Sequence, residues 1–125
     1  MNLEYYYWYF KSVIPPRICD DIVKYGLQHK DNMGIIGGLG GDRDLQNQPL
    51  NKKEIKDLKK KRDSSIVWMD DQWIYKEIHP YLNLANQNAG WNFIYDWSES
   101  CQFTKYKPGQ YYDWHCDSWR GAYEK

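Results

Sequence analysis

The stretch Q-F-T-K-Y-K-P-G-Q-Y-Y-D-W-H-C-D-S-W, residues 102–119, decides how this chain is read. Residues 101–106 and 111–115 predict two strands, rich in aromatic and β-branched side chains. Between them Lys107-Pro108-Gly109-Gln110 puts Pro and then Gly at the central positions of a type II turn. His115 then ends the second strand and Asp117 sits just past it. Side chains two apart on an extended chain point the same way, so the imidazole and carboxylate of H-x-D can hold one ion together. They are two thirds of a 2-His-1-carboxylate triad, which leaves positions on Fe(II) open to other ligands.

Working outward, Trp91, Phe93, Tyr95 and Trp97 alternate with Asn92, Ile94 and Asp96, the period of a strand, and Ser98-Glu99-Ser100 turns the chain. Residues 3–13, rich in Tyr, Trp, Phe and Val, predict another strand stopping at Pro15-Pro16. Pro16 opens a helix whose apolar face is Ile18, Cys19, Ile22, Val23 and Leu27, with Asp20 and Asp21 toward its positive end and His29 and Lys30 toward the other. A further helix, capped by Asp70 or Asp71, carries Ile74, Ile78, Tyr81, Leu82 and Ala85. Pro80 inside it predicts a kink near His79 or a fresh start there, and residues 86–90 the stop. Residues 34–41 hold five glycines, but Arg43 stands where G-x-G-x-x-G needs its last Gly and no G-K-S or G-K-T follows, so a loop is predicted. The Lys-rich stretch after Pro49 predicts a short exposed helix, and Ser65, Ile66, Val67 and Trp68 a strand following Arg62.

The 125 residues suit one domain. Lys plus Arg and Asp plus Glu are 17 each, which argues against a general polyanion binder; the basic run at 52–62 is interrupted by Glu54 and Asp57 and reads as a solvated face. Trp (7), Tyr (12) and Phe (3) are abundant for so polar a chain, and suit either a core around a polar pocket or a stacking platform. Cys19, Cys101 and Cys116 are odd in number without C-x-x-C spacing, and no signal peptide or membrane-length apolar run is visible, so a reducing, cytoplasmic setting with no membrane contact is expected.

The segment Tyr106-Lys107-Pro108-Gly109-Gln110-Tyr111-Tyr112-Asp113-Trp114-His115-Cys116-Asp117-Ser118 resembles the Y-x-P-G-Q-x-Y-x-x-H-x-D-S signature of Fe(II)- and 2-oxoglutarate-dependent oxygenases, the prolyl 4-hydroxylase group and its PKHD-type members above all. Arg62, Ser65, Val67 and Trp68, a helix ending at Ala85-Asn86 and the aromatic run 91–97 extend the likeness to residues 62–119. The resemblance implies an α+β fold with a mainly β core, a double-stranded β-helix or jelly roll with N-terminal supporting helices. His115 and Asp117 match iron ligands, and Tyr106 matches a tyrosine lining the 2-oxoglutarate pocket. Tyr112 would face the site as well, although strict alternation pairs residue 113 with 115, so a bulge or bend is needed. Fe(II), 2-oxoglutarate as co-substrate and L-ascorbate as reductant are implied. The reaction would decarboxylate 2-oxoglutarate to succinate and carbon dioxide with O2 and hydroxylate a protein or peptide substrate, by default at proline.

In that family the distal His and a basic residue for the far carboxylate of 2-oxoglutarate lie well downstream of H-x-D. No His or Arg suited to either role follows Asp117, and His29 and His79 fall on predicted helices. Residues 1–125 are therefore expected to be the N-terminal part of a single oxygenase domain, weak in iron binding, inactive alone, and prone to self-association through exposed strand edges. Residues 34–41 and those after Trp119 are candidates for selecting the substrate. Two rival readings remain: a non-catalytic domain that stacks carbohydrate or single-stranded nucleic acid on its aromatics, most of which are expected at core positions, and a zinc site from His115, Cys116, Asp117 and Cys101. Alternation turns Cys116 away from its neighbours, toward a core position.

Overall fold

Residues 4–36, 45 and 47–117 are described by the structure, a computed structural model. Along the chain come α1 (Pro16–Gln28), β1 (Asn32–Met33), α2 (Lys52–Lys59), β2 (Arg62–Asp63), β3 (Ser65–Met69), α3 (Gln72–Asn88), β4 (Cys101–Lys105) and β5 (Tyr111–Tyr112). The result is a small mixed fold of three helices and two small antiparallel sheets, with no closed barrel among the described residues. One sheet has the order β1-β3-β4; the other pairs β2 with β5. Two compact units interleave in sequence, Met1–Lys30 with Val67–Phe103, and Asp31–Ile66 with Thr104–Lys125.

In the first unit Val67, Met69 and Ile74 form the core, with Ile22, Tyr25, Trp73, Cys101 and Phe103 packed against it. Helix α1 begins with Pro16, whose missing N–H costs nothing in a first turn. It buries Ile18 and Gly26, whereas Cys19, Val23 and Leu27, predicted for the same face, are exposed. The stripe turns toward 18, 22, 25 and 26 because Gly26 admits Phe103: a Cβ there would lie 2.5 Å from the ring. Asp71 is the N-cap of α3 but makes no capping bond. Its carboxylate instead takes a hydrogen bond from Tyr25, which holds that hydroxyl above its ordinary pKa.

Helix α3 runs unbroken through Pro80 instead of restarting at His79. Pro80 lies on an exposed face, where the carbonyl left without its amide partner can bond water. Ile74 is buried, but Ile78 and Leu82 are not. The helix stops at Ala89 and Gly90, the latter at φ +67°. Two predicted strands do not form. Described residues 4–13 and residues 91–97 are irregular, with Ser12 and Asn92 at positive φ interrupting any extended run. Side chains replace a ladder: Asn86 Nδ2 donates to the Phe93 carbonyl and its Oδ1 accepts from the Phe93 amide, both at 2.9 Å. Trp91 Nε1 donates to the Tyr5 carbonyl at 2.6 Å and Tyr81 Oη to that of Val13 at 3.1 Å. With no neighbouring strand to bury them, most of these rings stay exposed, which corrects the expectation of a largely aromatic core.

In the second unit α2 starts with a capping box, Asn51 Oδ1 accepting from the Lys53 and Glu54 amides while Glu54 Oε2 accepts from the Asn51 amide. Its Leu58 is wholly buried, so this helix is a packing element and not only a charged face. Strand β1 pairs antiparallel with β3, Asn32 opposite Ile66, and β2 with β5, Arg62 opposite Tyr112. The 107–110 turn is as predicted, with Gly109 at φ +84° and the Gln110 amide bonded to the Lys107 carbonyl at 2.9 Å. It joins strands of different sheets, so it does not close a hairpin. Among the described residues no helix is long and apolar enough to cross a membrane.

Candidate metal centre

Strand β5 ends at Tyr112, three residues before the predicted boundary, because its partner β2 offers only Arg62 and Asp63. One more bond, from the Asp113 amide to the Lys61 carbonyl at 2.8 Å, ties the chain down as it leaves the sheet. The Asp113 carboxylate accepts from the Trp114 amide at 2.9 Å, and this bend lets Tyr112 reach His115. Their rings stack at 3.6 Å between centroids, 15° from parallel.

His115 Nδ1 lies 2.7 Å from the Asp113 carbonyl. A carbonyl only accepts, so Nδ1 carries a proton, and Nε2 is the ring nitrogen left to offer a lone pair. That atom is 3.1 Å from Asp117 Oδ1. Two lone pairs do not face each other at this distance without a positive charge between them, which a proton or a metal ion supplies. Ligands about 2.1 Å from one ion and at right angles are about 3 Å apart, so the spacing fits two adjacent coordination positions. The backbone carbonyl on Nδ1 is the usual orienting partner of a metal-bound His.

His115 and Asp117 are thus brought together, and Tyr112 with them through its ring face. Tyr106 lies past the end of β4, half-exposed, and outside the residues lining a shallow hollow of about 480 Å³ at this site. That hollow is lined by Tyr111, Tyr112, Asp113, Trp114 and His115. Asp117 is almost fully exposed. No group of three or more His, Cys, Asp or Glu residues able to hold a metal occurs among the described residues. Cys116 is exposed and not in the core, since the chain is no longer a strand there, and Cys101 packs on the core of the first unit, so the four-residue zinc set is not assembled. His79 Nε2 is 3.1 Å from Ser98 Oγ, and His29 Nδ1 bonds the Tyr25 carbonyl at 2.8 Å. The glycine-rich loop from residue 37 and the residues from Ser118 onward, candidates for substrate selection, lie outside the described residues.

Sequence reasoning assigned no role at the site to Asp113, nor to Arg62 beyond its place in the resemblance. Alternation did place residue 113 beside 115, but its role runs through its backbone carbonyl, which no side-chain pattern reveals. Arg62 is 4% exposed, with Nε donating to Ser64 Oγ at 2.8 Å and Nη1 to the Ile35 carbonyl at 3.0 Å. Comparison with known proteins gives no match: no family model, curated protein or solved structure is significantly similar to this chain.

Proposed function

We propose that this chain carries the His-x-Asp half of the iron site of a 2-oxoglutarate-dependent dioxygenase of the prolyl 4-hydroxylase kind, acting on a peptidyl residue, by default proline. The observation that carries the reading is the pair itself: His115 Nε2, with its tautomer set by the Asp113 carbonyl, facing Asp117 Oδ1 at 3.1 Å. The Tyr106-to-Ser118 signature supplies the chemical context. Fe(II) with 2-oxoglutarate couples decarboxylation by O2 to hydroxylation of a substrate, and ascorbate keeps the iron reduced. His115 and Asp117 would hold the ion, the Asp113 carbonyl and the Tyr112 ring orient the imidazole, and the Tyr106 hydroxyl would bond the co-substrate. The two small sheets would then belong to a jelly roll. With two protein ligands the described residues bind iron weakly and do not turn over by themselves.

Anaerobic titration with Fe(II), followed by addition of 2-oxoglutarate, tests this. Binding that disappears in both His115→Ala and Asp117→Ala is expected; equal affinity in both variants, or tightly retained zinc with no response to Fe(II), overturns it.

The exposed rings favour a second reading, a carbohydrate-binding domain. Glu4, Tyr5, Tyr6, Tyr7, Trp8 and Tyr9 line a hollow of about 520 Å³, and Tyr6, Tyr7 and Tyr9 are 82%, 74% and 67% exposed. Retardation on polysaccharide gels that Tyr7→Ala and Trp8→Ala abolish would favour it.

A further inference from the structure

A buried cation stands behind the exposed imidazole of His115. The fold encloses the Arg62 guanidinium, and this is tolerated because the group is hydrogen-bonded, Nε donating to Ser64 Oγ and Nη1 to the Ile35 carbonyl. Gly34 makes the room: a Cβ there would be 2.6 Å from Arg62 Nε and 2.3 Å from Ser64 Oγ. The register of β2 with β5 sets Arg62 directly opposite Tyr112. Its guanidinium carbon lies 4.6 Å from the centre of the Tyr112 ring, within cation–π range, and that ring is the one stacked on His115 at 3.6 Å.

We propose that Arg62 is a positioning residue for His115, acting through the face of Tyr112. Ser64 Oγ and the Ile35 carbonyl help to hold the guanidinium, the guanidinium holds the phenol ring, and the ring holds the plane of the imidazole. Together with the Nδ1 bond to Asp113 this fixes both torsions of a side chain that solvent would otherwise leave free. An imidazole already aimed at Asp117 loses little entropy when it takes an ion, and that is the gain. Tyr112 therefore serves through its ring and not through its hydroxyl. The functional meaning rests on reading His115 as a metal ligand; the geometry does not.

The test is side-chain NMR of the 125-residue chain together with Co(II) titration. In the wild type the His115 ring protons and the Arg62 side-chain protons should be shifted upfield by the Tyr112 ring. Tyr112→Leu should remove both shifts and weaken Co(II) roughly ten-fold or more, the scale of lost outer-sphere partners. Tyr112→Phe, the conservative variant, should restore both. Arg62→Met should remove the His115 shift and weaken Co(II) likewise; should it fail to fold, Ser64→Ala, which frees one anchor, should reduce both in the same direction. Wild-type His115 shifts and Co(II) affinity in a folded Arg62→Met or Ser64→Ala overturn the proposal, as does a Tyr112→Phe that behaves like Tyr112→Leu. If Co(II) does not bind the wild type while the ring shifts respond as stated, the metal reading fails and the positioning role stands.

Discussion

His115 Nε2 and Asp117 Oδ1 face each other at 3.1 Å, while the other nitrogen of the same ring donates to the Asp113 carbonyl. Because both side chains are substantially exposed, their removal should cost little stability, within about 0.5 kcal/mol as for ordinary surface substitutions. His115→Ala and Asp117→Ala are therefore expected to melt with the wild type and to lose metal binding. Parallel calorimetric melts and Fe(II) titrations separate the two effects, and an unfolded variant would show that the pair is structural.

Tyr106→Phe removes one hydroxyl from a half-exposed ring. If that hydroxyl bonds the co-substrate, 2-oxoglutarate affinity falls while Fe(II) affinity is unchanged. Equal 2-oxoglutarate affinity in titrations of the two iron-loaded proteins removes Tyr106 from the site.

Gly26→Ala drives a methyl into the Phe103 ring, 2.5 Å from its nearest carbon. Overpacking of this kind costs about 1–3 kcal/mol. Urea unfolding should show that loss, and Phe103→Leu in the same chain should return part of it. A Gly26→Ala as stable as the wild type would mean that the ring does not sit against the helix.

Asn51→Ala deletes the side-chain half of the capping box on α2, worth about 1 kcal/mol. Asn51→Asp keeps an acceptor and should retain most of that stability; equal loss in both variants would assign the effect to something other than the cap.

Asp31 is held below the ordinary carboxylate pKa, first by its hydrogen bond to Lys105, at 3.0 Å, and then by one to Ser65. A depressed folded-state pKa adds stability that is present above the unfolded value, about 3.9, and is lost as pH falls below it through the folded value. Asp31→Asn should thus be less stable than the wild type at pH 7, with the difference closing in acid. Urea midpoints from pH 7 to pH 2 measure this, and a gap that persists unchanged at the lowest pH would contradict it.

Much of the local structure was legible. The apolar periodicity marked α1 and α3, Pro16 and Gly90 marked ends, and Pro108-Gly109 marked the turn, because each acts within one or two turns of chain. The runs at 4–13 and 91–97 carry a strand pattern without being strands, since alternation states which faces a strand would have and not whether a partner lies alongside. Gly26 was invisible as a core residue for a related reason: its value lies in the ring of Phe103, which is far away in sequence.

The site divides the same way. Sequence by itself determined that an imidazole and a carboxylate stand two residues apart after a tight turn, because covalent spacing fixes that. Only tertiary structure decided that β5 stops at Tyr112, that the chain bends so Tyr112 lies on His115, and that Arg62, fifty positions away in sequence, comes opposite that ring. Strand register is a long-range choice, set by what the second unit buries and by the room that Gly34 leaves, and no local pattern encodes it.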